Sequence, residues 1–140
     1  MATILCEVGV TGDADVAVLV SRARRSLEEA AVPGLEAARL VTVCAELGRN
    51  IAKYARYGVV RIELSATPRG RLVAVEAIDR GPGIADVDAA LRDHVSTGGS
   101  LGLGLPGIQR MMDGLRVESR PGSGTRVRAE RFLPHREHGR

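Results

Sequence analysis

Three residues in one helical stretch have side chains that could do chemistry together. Glu46, Asn50 and Lys53 stand at i, i+4 and i+7, so a helix presents a carboxylate, an amide and an ammonium in a row. A carboxylate can take a proton from a hydroxyl, an amide oxygen can ligate a hard cation, and an ammonium can meet phosphate oxygens. Taken alone, the row also describes a solvated helix flank. A second cluster, Asp79-Arg80-Gly81-Pro82-Gly83, follows the apolar run Leu72 to Ile78. An aspartate leaving a buried strand can accept a hydrogen bond from a ligand amine, and glycines beside it let the backbone approach closely. The third, Thr97-Gly98-Gly99-Ser100-Leu101-Gly102-Leu103-Gly104-Leu105, runs straight into a helical pattern. Its amides and the helix N-terminus suit phosphate oxygens, although a Gly-rich stretch is equally a plain connection. The last, Gly122-Ser123-Gly124-Thr125, reads as a hairpin turn that offers one hydroxyl. Ten of the 17 glycines lie between Gly81 and Gly124, and these clusters hold eight of them.

The surrounding pattern predicts the elements that carry these groups. Thr3 to Val10 reads as a strand, and Thr11-Gly12-Asp13 as a turn and helix cap. Helical spacing of Val16, Leu19, Val20, Ala23 and Leu27 marks a helix over Ala14 to Ala31, ended by Pro33-Gly34. A second helix runs from Leu35 to about Tyr57, with Leu40, Cys44, Leu47, Ile51 and Tyr54 as its core stripe and Gly58 as its C-terminal cap. The Glu46 row lies about 100° from that stripe. Val59 to Ala66 alternates as a half-buried strand, and Leu72 to Ile78 is its hairpin partner. Asp86 to Asp93 has room for one or two helical turns. A helix carries Leu105, Ile108, Met112 and Leu115, with Pro106 tolerated in its first turn. Leu115 to Ser119 and Thr125 to Leu133 close the sheet. The order β-α-α-β-β-loop-α-β-β predicts an α+β fold, a two-layer α/β sandwich whose mixed, mostly antiparallel sheet carries helices on one face.

Composition narrows the function classes. The chain has 140 residues, 44% hydrophobic and 26% charged, which fits one globular domain over 1–134 with a polar tail at 135–140. No apolar run reaches the roughly 18 to 20 residues that cross a bilayer, and Met1 to Val10 has no basic n-region, so a cytoplasmic protein is expected with no membrane partner. Cys6 and Cys44 are widely spaced and read as core residues rather than metal ligands. His94, His135 and His138 lack ligand spacing. The net charge of +3 comes from arginines spread along the chain, and only three aromatics are available for base stacking, which disfavours nucleic acid as a partner.

In order along the chain, Glu-x-x-x-Asn, Asp-x-Gly-x-Gly, Gly-x-Gly and Gly-x-Gly-Thr resemble the N, G1, G2 and G3 boxes of the GHKL ATPase and kinase superfamily with its Bergerat nucleotide fold. Within it the chain looks most like the small anti-sigma and stress-switch serine kinases of the RsbT type. The words Glu46-Leu47-Gly48-Arg49-Asn50-Ile51, Asp79-Arg80-Gly81-Pro82-Gly83-Ile84 and Gly104-Leu105-Pro106-Gly107-Ile108 carry that likeness. The resemblance implies ATP and Mg²⁺ as cofactors. Asn50 would hold Mg²⁺ bridging the phosphates, Lys53 would lie near the phosphate chain, and Asp79 would bind the adenine amino group, with Gly83 beneath the base, Gly81 as a further nucleotide-binding residue and Thr125 supporting Asp79. Gly98, Gly99, Gly102, Leu103 and Gly104 would form the phosphate loop, and Glu46 would be the general base. It further implies an ATP-dependent protein-serine/threonine kinase acting on a STAS-domain antagonist in a partner-switching pathway. A sigma factor or a serine phosphatase would be further partners, and a homodimer is compatible with it. Two other outputs remain open: a nucleotide-binding anti-sigma factor or phosphatase activator that works by sequestration, and an ATPase with no protein acceptor. The chain departs from the pattern at Ser100-Leu101, which lengthens the G2 loop, and in having no arginine between Asp93 and Gly104.

Overall fold

A computed structural model describes residues 1–83, 91 and 104–135. The elements are β1 (Ala2–Val10), α1 (Asp13–Glu29), α2 (Gly34–Tyr54), β2 (Gly58–Thr67), β3 (Gly70–Asp79), α3 (Gly104–Met111), β4 (Gly114–Arg120) and β5 (Gly124–Pro134). The strands form one sheet in the order β1-β2-β3-β5-β4. The expected mostly antiparallel sheet is antiparallel at each of these four pairings.

Alternation along the strands decides which side is apolar. Cys6, Val8 and Val10 of β1, Val60 and Ile62 of β2, Val73, Val75 and Ala77 of β3, and Val127, Ala129 and Leu133 of β5 are all buried in one core. They meet Leu19, Ala23 and Leu27 of α1, Leu40, Cys44, Leu47 and Ile51 of α2, and Ile108 of α3. Cys6 and Cys44 are free and buried, as their apolar settings predict. The helices α1 and α2 pack closely because Gly48 faces α1: a Cβ there would lie 2.8 Å from Leu19 Cδ2. A register shift between Ile4 and Cys6 leaves Leu5 as a bulge residue. Local signals set the element ends. The Thr11 hydroxyl and amide both donate to Asp15 Oδ2 at 2.8 Å, so the start of α1 is closed by a side chain from inside the helix, while Gly12 at the cap has none to offer.

Three boundaries differ from the sequence expectation. Helix α2 stops at Tyr54 and its cap is Ala55, whose N–H donates to Ile51 O. Gly58 is therefore not the cap but the first residue of β2, where a side chain would overlap Ile51 and the carbonyl of Ile78. Tyr54 does not belong to the core stripe: it is 49% exposed, because the helix ends there beyond the sheet. Leu115 pairs with Ala129 in β4 and is not part of the last helix, which ends at Met111. Of the turns expected at 86–93 only Leu91 is described, as helical and packed against the core; the rest, and residues 136–140 of the polar tail, lie outside the described residues. His135 is tied down by its N–H to Arg69 O at 2.9 Å.

The face of the sheet away from the helices is organised by charge. Glu76 of β3 points there and is only 1% exposed. Its Oε1 accepts from Arg61 and Arg126, both at 2.9 Å, and its Oε2 accepts from Arg128 at 3.0 Å. Arg128 also donates to Glu63 at 3.0 Å. Burial alone would raise the Glu76 pKa, but hydrogen bonds from Arg128 and Arg61 and the charge of Arg126 outweigh it and hold the carboxyl below its ordinary value. Elsewhere Arg131 of β5 clamps Glu36 of α2 through Nε and Nη2 at 2.9 and 3.0 Å, and these bonds lower the Glu36 pKa.

Candidate active site

Helix α2 supplies the first part of the site. Glu46 is 7% exposed, Asn50 is half-buried and Lys53 is exposed, so the row runs from the interior to solvent along one helix face. That gradient argues against a solvated flank. A carboxylate withdrawn from water needs a partner, and the Arg49 guanidinium lies 3.4 Å from Glu46 Oε1. The Lys53 ammonium stands 5.2 Å from the ring centroid of Tyr54, within cation–π range.

The second part forms where β3 leaves the sheet. Asp79 pairs across the ladder with Gly58 on one side and Thr125 on the other. It is half-buried, and its Oδ1 accepts from the N–H of Gly81 at 2.8 Å. That bond is made two residues on, as in an Asx turn, and leaves Oδ2 available to a ligand amine. The Thr125 hydroxyl sits 2.9 Å from that of Ser119, so Thr125 borders Asp79 through the strand pairing and spends its hydroxyl on β4.

The turn after β3 and the turn that joins β4 to β5 lock together here. Gly122 N–H donates to Pro82 O at 2.8 Å. Gly83 has φ +79°, and a Cβ on it would lie 2.3 Å from the carbonyl oxygen of Arg120. Gly124 has φ +89°, and a Cβ there would lie 2.1 Å from the carbonyl oxygen of Asp79. Both positions combine the left-handed region with backbone on backbone, so only glycine fits. Sequence spacing points to close backbone approach at these residues; the approach observed is between the two turns.

A cleft of about 490 Å³ lies between the end of α2 and the turn after Asp79; Glu46, Asn50 and Asp79 are not among its lining residues, and Asp79 and Thr125 line a separate cleft of about 600 Å³. The smaller cleft is lined by Lys53, Tyr54, Arg56, Arg80, Gly81 and Pro82 among others. The end of α2 and the turn after Asp79 therefore share one cleft, and it carries three cations. Tyr54, assigned to the core by its periodicity, presents an aromatic face in it. Its place four residues after Asn50, on the same helix face, was the available signal. Gly104 opens α3 with φ +61°, and α3 packs against α2. Gly98, Gly99, Gly102 and Leu103 lie outside the described residues.

This donor set suits a nucleotide. Arginine and lysine side chains can neutralise phosphates, a strand-end carboxylate can read an amine, and an amide oxygen can ligate Mg²⁺. Among the described residues, no three His, Cys, Asp or Glu side chains gather as a metal cage.

Known proteins align with this arrangement. The family described as "Histidine kinase-like ATPase domain" matches residues 12–131. The serine/threonine-protein kinase RsbT of Bacillus subtilis is 36% identical over 119 residues, covering 85% of this chain and 90% of RsbT. An anti-sigma F factor of a Thermoanaerobacter species is 36% identical over 75 residues, about half of each chain (51% and 52%). Among solved structures, a chain of the SiaB–SiaC complex of Pseudomonas aeruginosa superposes with a TM-score of 0.55 at 13% identity, covering 93% of this chain and 91% of its own. The mycobacterial sensor histidine kinase MprB gives 0.53 at 16% identity over 96% and 98%. These two likenesses concern the fold.

Proposed function

The chain belongs to the histidine kinase-like ATPase domain family, and on that premise we propose that it is an ATP-dependent protein-serine/threonine kinase that phosphorylates a small STAS-domain antagonist in a partner-switching pathway. The observation that carries the reading is the 36% identity to RsbT across 85% of this chain and 90% of RsbT. The anti-sigma F likeness supports a regulatory circuit that ends on a sigma factor. Among the described residues no helix is long and apolar enough to cross a membrane, which fits a kinase working on soluble partners in the cytoplasm.

In this reading the residues divide the work. Asp79 Oδ2 accepts from the adenine amino group while Gly81 N–H holds Oδ1. Tyr54 offers its ring to the base, and Thr125 keeps the end of β5 against Asp79. Asn50 presents its amide oxygen to Mg²⁺, and Lys53 contributes positive charge to the phosphate chain. By the resemblance alone, Gly98, Gly99, Gly102, Leu103 and Gly104 would supply backbone amides to the phosphates. When bound, ATP supplies the γ-phosphoryl group, whose bond to the bridging oxygen breaks as the acceptor oxygen bonds to phosphorus, and ADP departs. Glu46 receives the proton that the acceptor hydroxyl loses. Catalysis here rests on alignment and charge neutralisation, which is what phosphoryl transfer requires.

The test is incubation with ATP, Mg²⁺ and STAS-domain proteins, followed by mass spectrometry of each partner. Phosphoserine or phosphothreonine on one of them is the expected outcome. Nucleotide binding with no modified partner overturns the kinase reading in favour of sequestration. Phosphate release that ignores partners identifies an ATPase.

A further inference from the structure

Arg49 is half exposed, with one end toward Glu46 and a flank toward a groove between α1 and α2. The groove, of about 800 Å³, is lined by Val16, Val20, Arg24, Ala45 and Arg49 among others. The guanidinium stands 3.4 Å from Glu46 Oε1. That distance is longer than a charge-assisted hydrogen bond, so the contact orients the carboxylate by charge. With Oε1 turned toward the guanidinium, Oε2 is the oxygen left for an acceptor hydroxyl. The pair differs in setting from its neighbour on the same helix: Glu36 and Arg39, also i,i+3, are 3.8 Å apart, and Glu36 is already clamped by Arg131. Glu36 therefore ties helix to sheet, whereas Glu46 stands on the face that carries Asn50 and Lys53.

We propose that Arg49 is a positioning residue for phosphoryl transfer, holding one oxygen of Glu46 so that the other faces the acceptor hydroxyl. The proposal rests on Glu46 being the general base, as in the preceding section. In this role Arg49 acts through Glu46 rather than on nucleotide or acceptor. A planar guanidinium keeps its direction on a carboxylate better than an ammonium does, so lysine is a partial substitute.

The experiment is a double-mutant cycle on transfer to a STAS-domain protein that the wild type phosphorylates. It uses R49Q, R49K, E46Q and the E46Q/R49Q pair, with R24Q as a control on the same groove. Expected are an R49Q kcat about tenfold below wild type with the KM for ATP unchanged, partial recovery in R49K, and wild-type kcat in R24Q. In the E46Q background, adding R49Q changes kcat by less than about twofold, as it must if Arg49 acts through Glu46. Wild-type kcat in R49Q overturns the proposal. So does an equal loss in both backgrounds, which would put Arg49 on the phosphates directly, or a raised KM for the acceptor at unchanged kcat, which would make it a docking residue. A loss of kcat that tracks a fall in Tm reduces the pair to a helix contact and also overturns it. A wild type that phosphorylates no partner overturns the kinase reading itself, whereas an impaired E46Q beside an unaffected R49Q overturns this inference alone.

Discussion

Replacing Asp79 by Asn tests the adenine reading at one atom. The Asp79 carboxylate has one oxygen engaged by Gly81 N–H at 2.8 Å and one free for the base. An asparagine has one oxygen and one NH₂ group. If its oxygen stays on Gly81, an NH₂ faces the adenine amine and two donors meet. If the amide turns over, the ligand bond is retained and the Gly81 N–H loses its acceptor. Either way one charge-assisted bond is lost, about 1.5–3 kcal/mol, so the ATP Kd should rise about 10- to 150-fold. Calorimetric titration with ATP and with ITP measures it. ITP carries an acceptor where adenine carries the amine, so wild type should prefer ATP, and D79N should lose that preference or reverse it because its NH₂ can donate to the ITP oxygen. An ATP affinity within about twofold of wild type, or an unchanged ATP-to-ITP ratio, refutes the placement of adenine on Asp79. The fold should survive, since in the unliganded variant the asparagine oxygen can still accept from Gly81 N–H, and thermal melting provides the check.

Three further outcomes are expected. Glu46→Ala should keep ATP affinity and lower transfer about 100-fold or more; wild-type transfer removes Glu46 from the mechanism. Gly83 and Gly122 share φ +79°, but a Cβ on Gly83 meets Arg120 O at 2.3 Å while one on Gly122 meets nothing within 4 Å. Gly122→Ala should therefore cost only the left-handed backbone penalty, about 1–2 kcal/mol, and Gly83→Ala clearly more; equal losses of Tm in the two variants refute the interlocked turns. The lowered pKa values of Glu76 and Glu36 make stability depend on acid: the contribution is full above the unfolded value near 4.5 and is lost as pH falls through the lower folded values. Glu76→Gln should flatten that acid limb in urea melts from pH 6 to pH 3 and lower stability at neutral pH by about 3–5 kcal/mol; an acid limb identical to wild type refutes the assignment.

Most of the scaffold was legible because periodicity is local. Leu40, Cys44, Leu47 and Ile51 share a stripe in the sequence and are buried together in the structure. The same stripe misplaces Tyr54, since spacing gives a residue's side of a helix and not whether the core extends beneath it. Gly58 fails as a cap for a related reason: the preceding sequence does not say that a strand begins there against Ile51. Asp79 stood out as an acid directly after an apolar strand. Glu76, three residues earlier, did not, because its partners Arg61, Arg126 and Arg128 come from two other strands and meet it only through the pairings Arg61 to Glu76 and Glu76 to Arg128. Burial of Glu46 and its contact with Arg49 were likewise beyond spacing, which allowed a solvated flank as readily as a site.

The charged cover over the sheet has an evolutionary consequence. Taking away Glu76 alone strands guanidiniums from Arg61, Arg126 and Arg128 around a vacated carboxylate position, and taking away any one arginine leaves a nearly solvent-free carboxylate short of a donor. Exchanging the whole cluster for packed hydrophobes can instead be neutral or favourable. Intermediates between the two solutions are thus less stable than either end, and a domain with a small stability margin has little room to cross. The network is a ratchet: once assembled on three strands, it is removed together or kept.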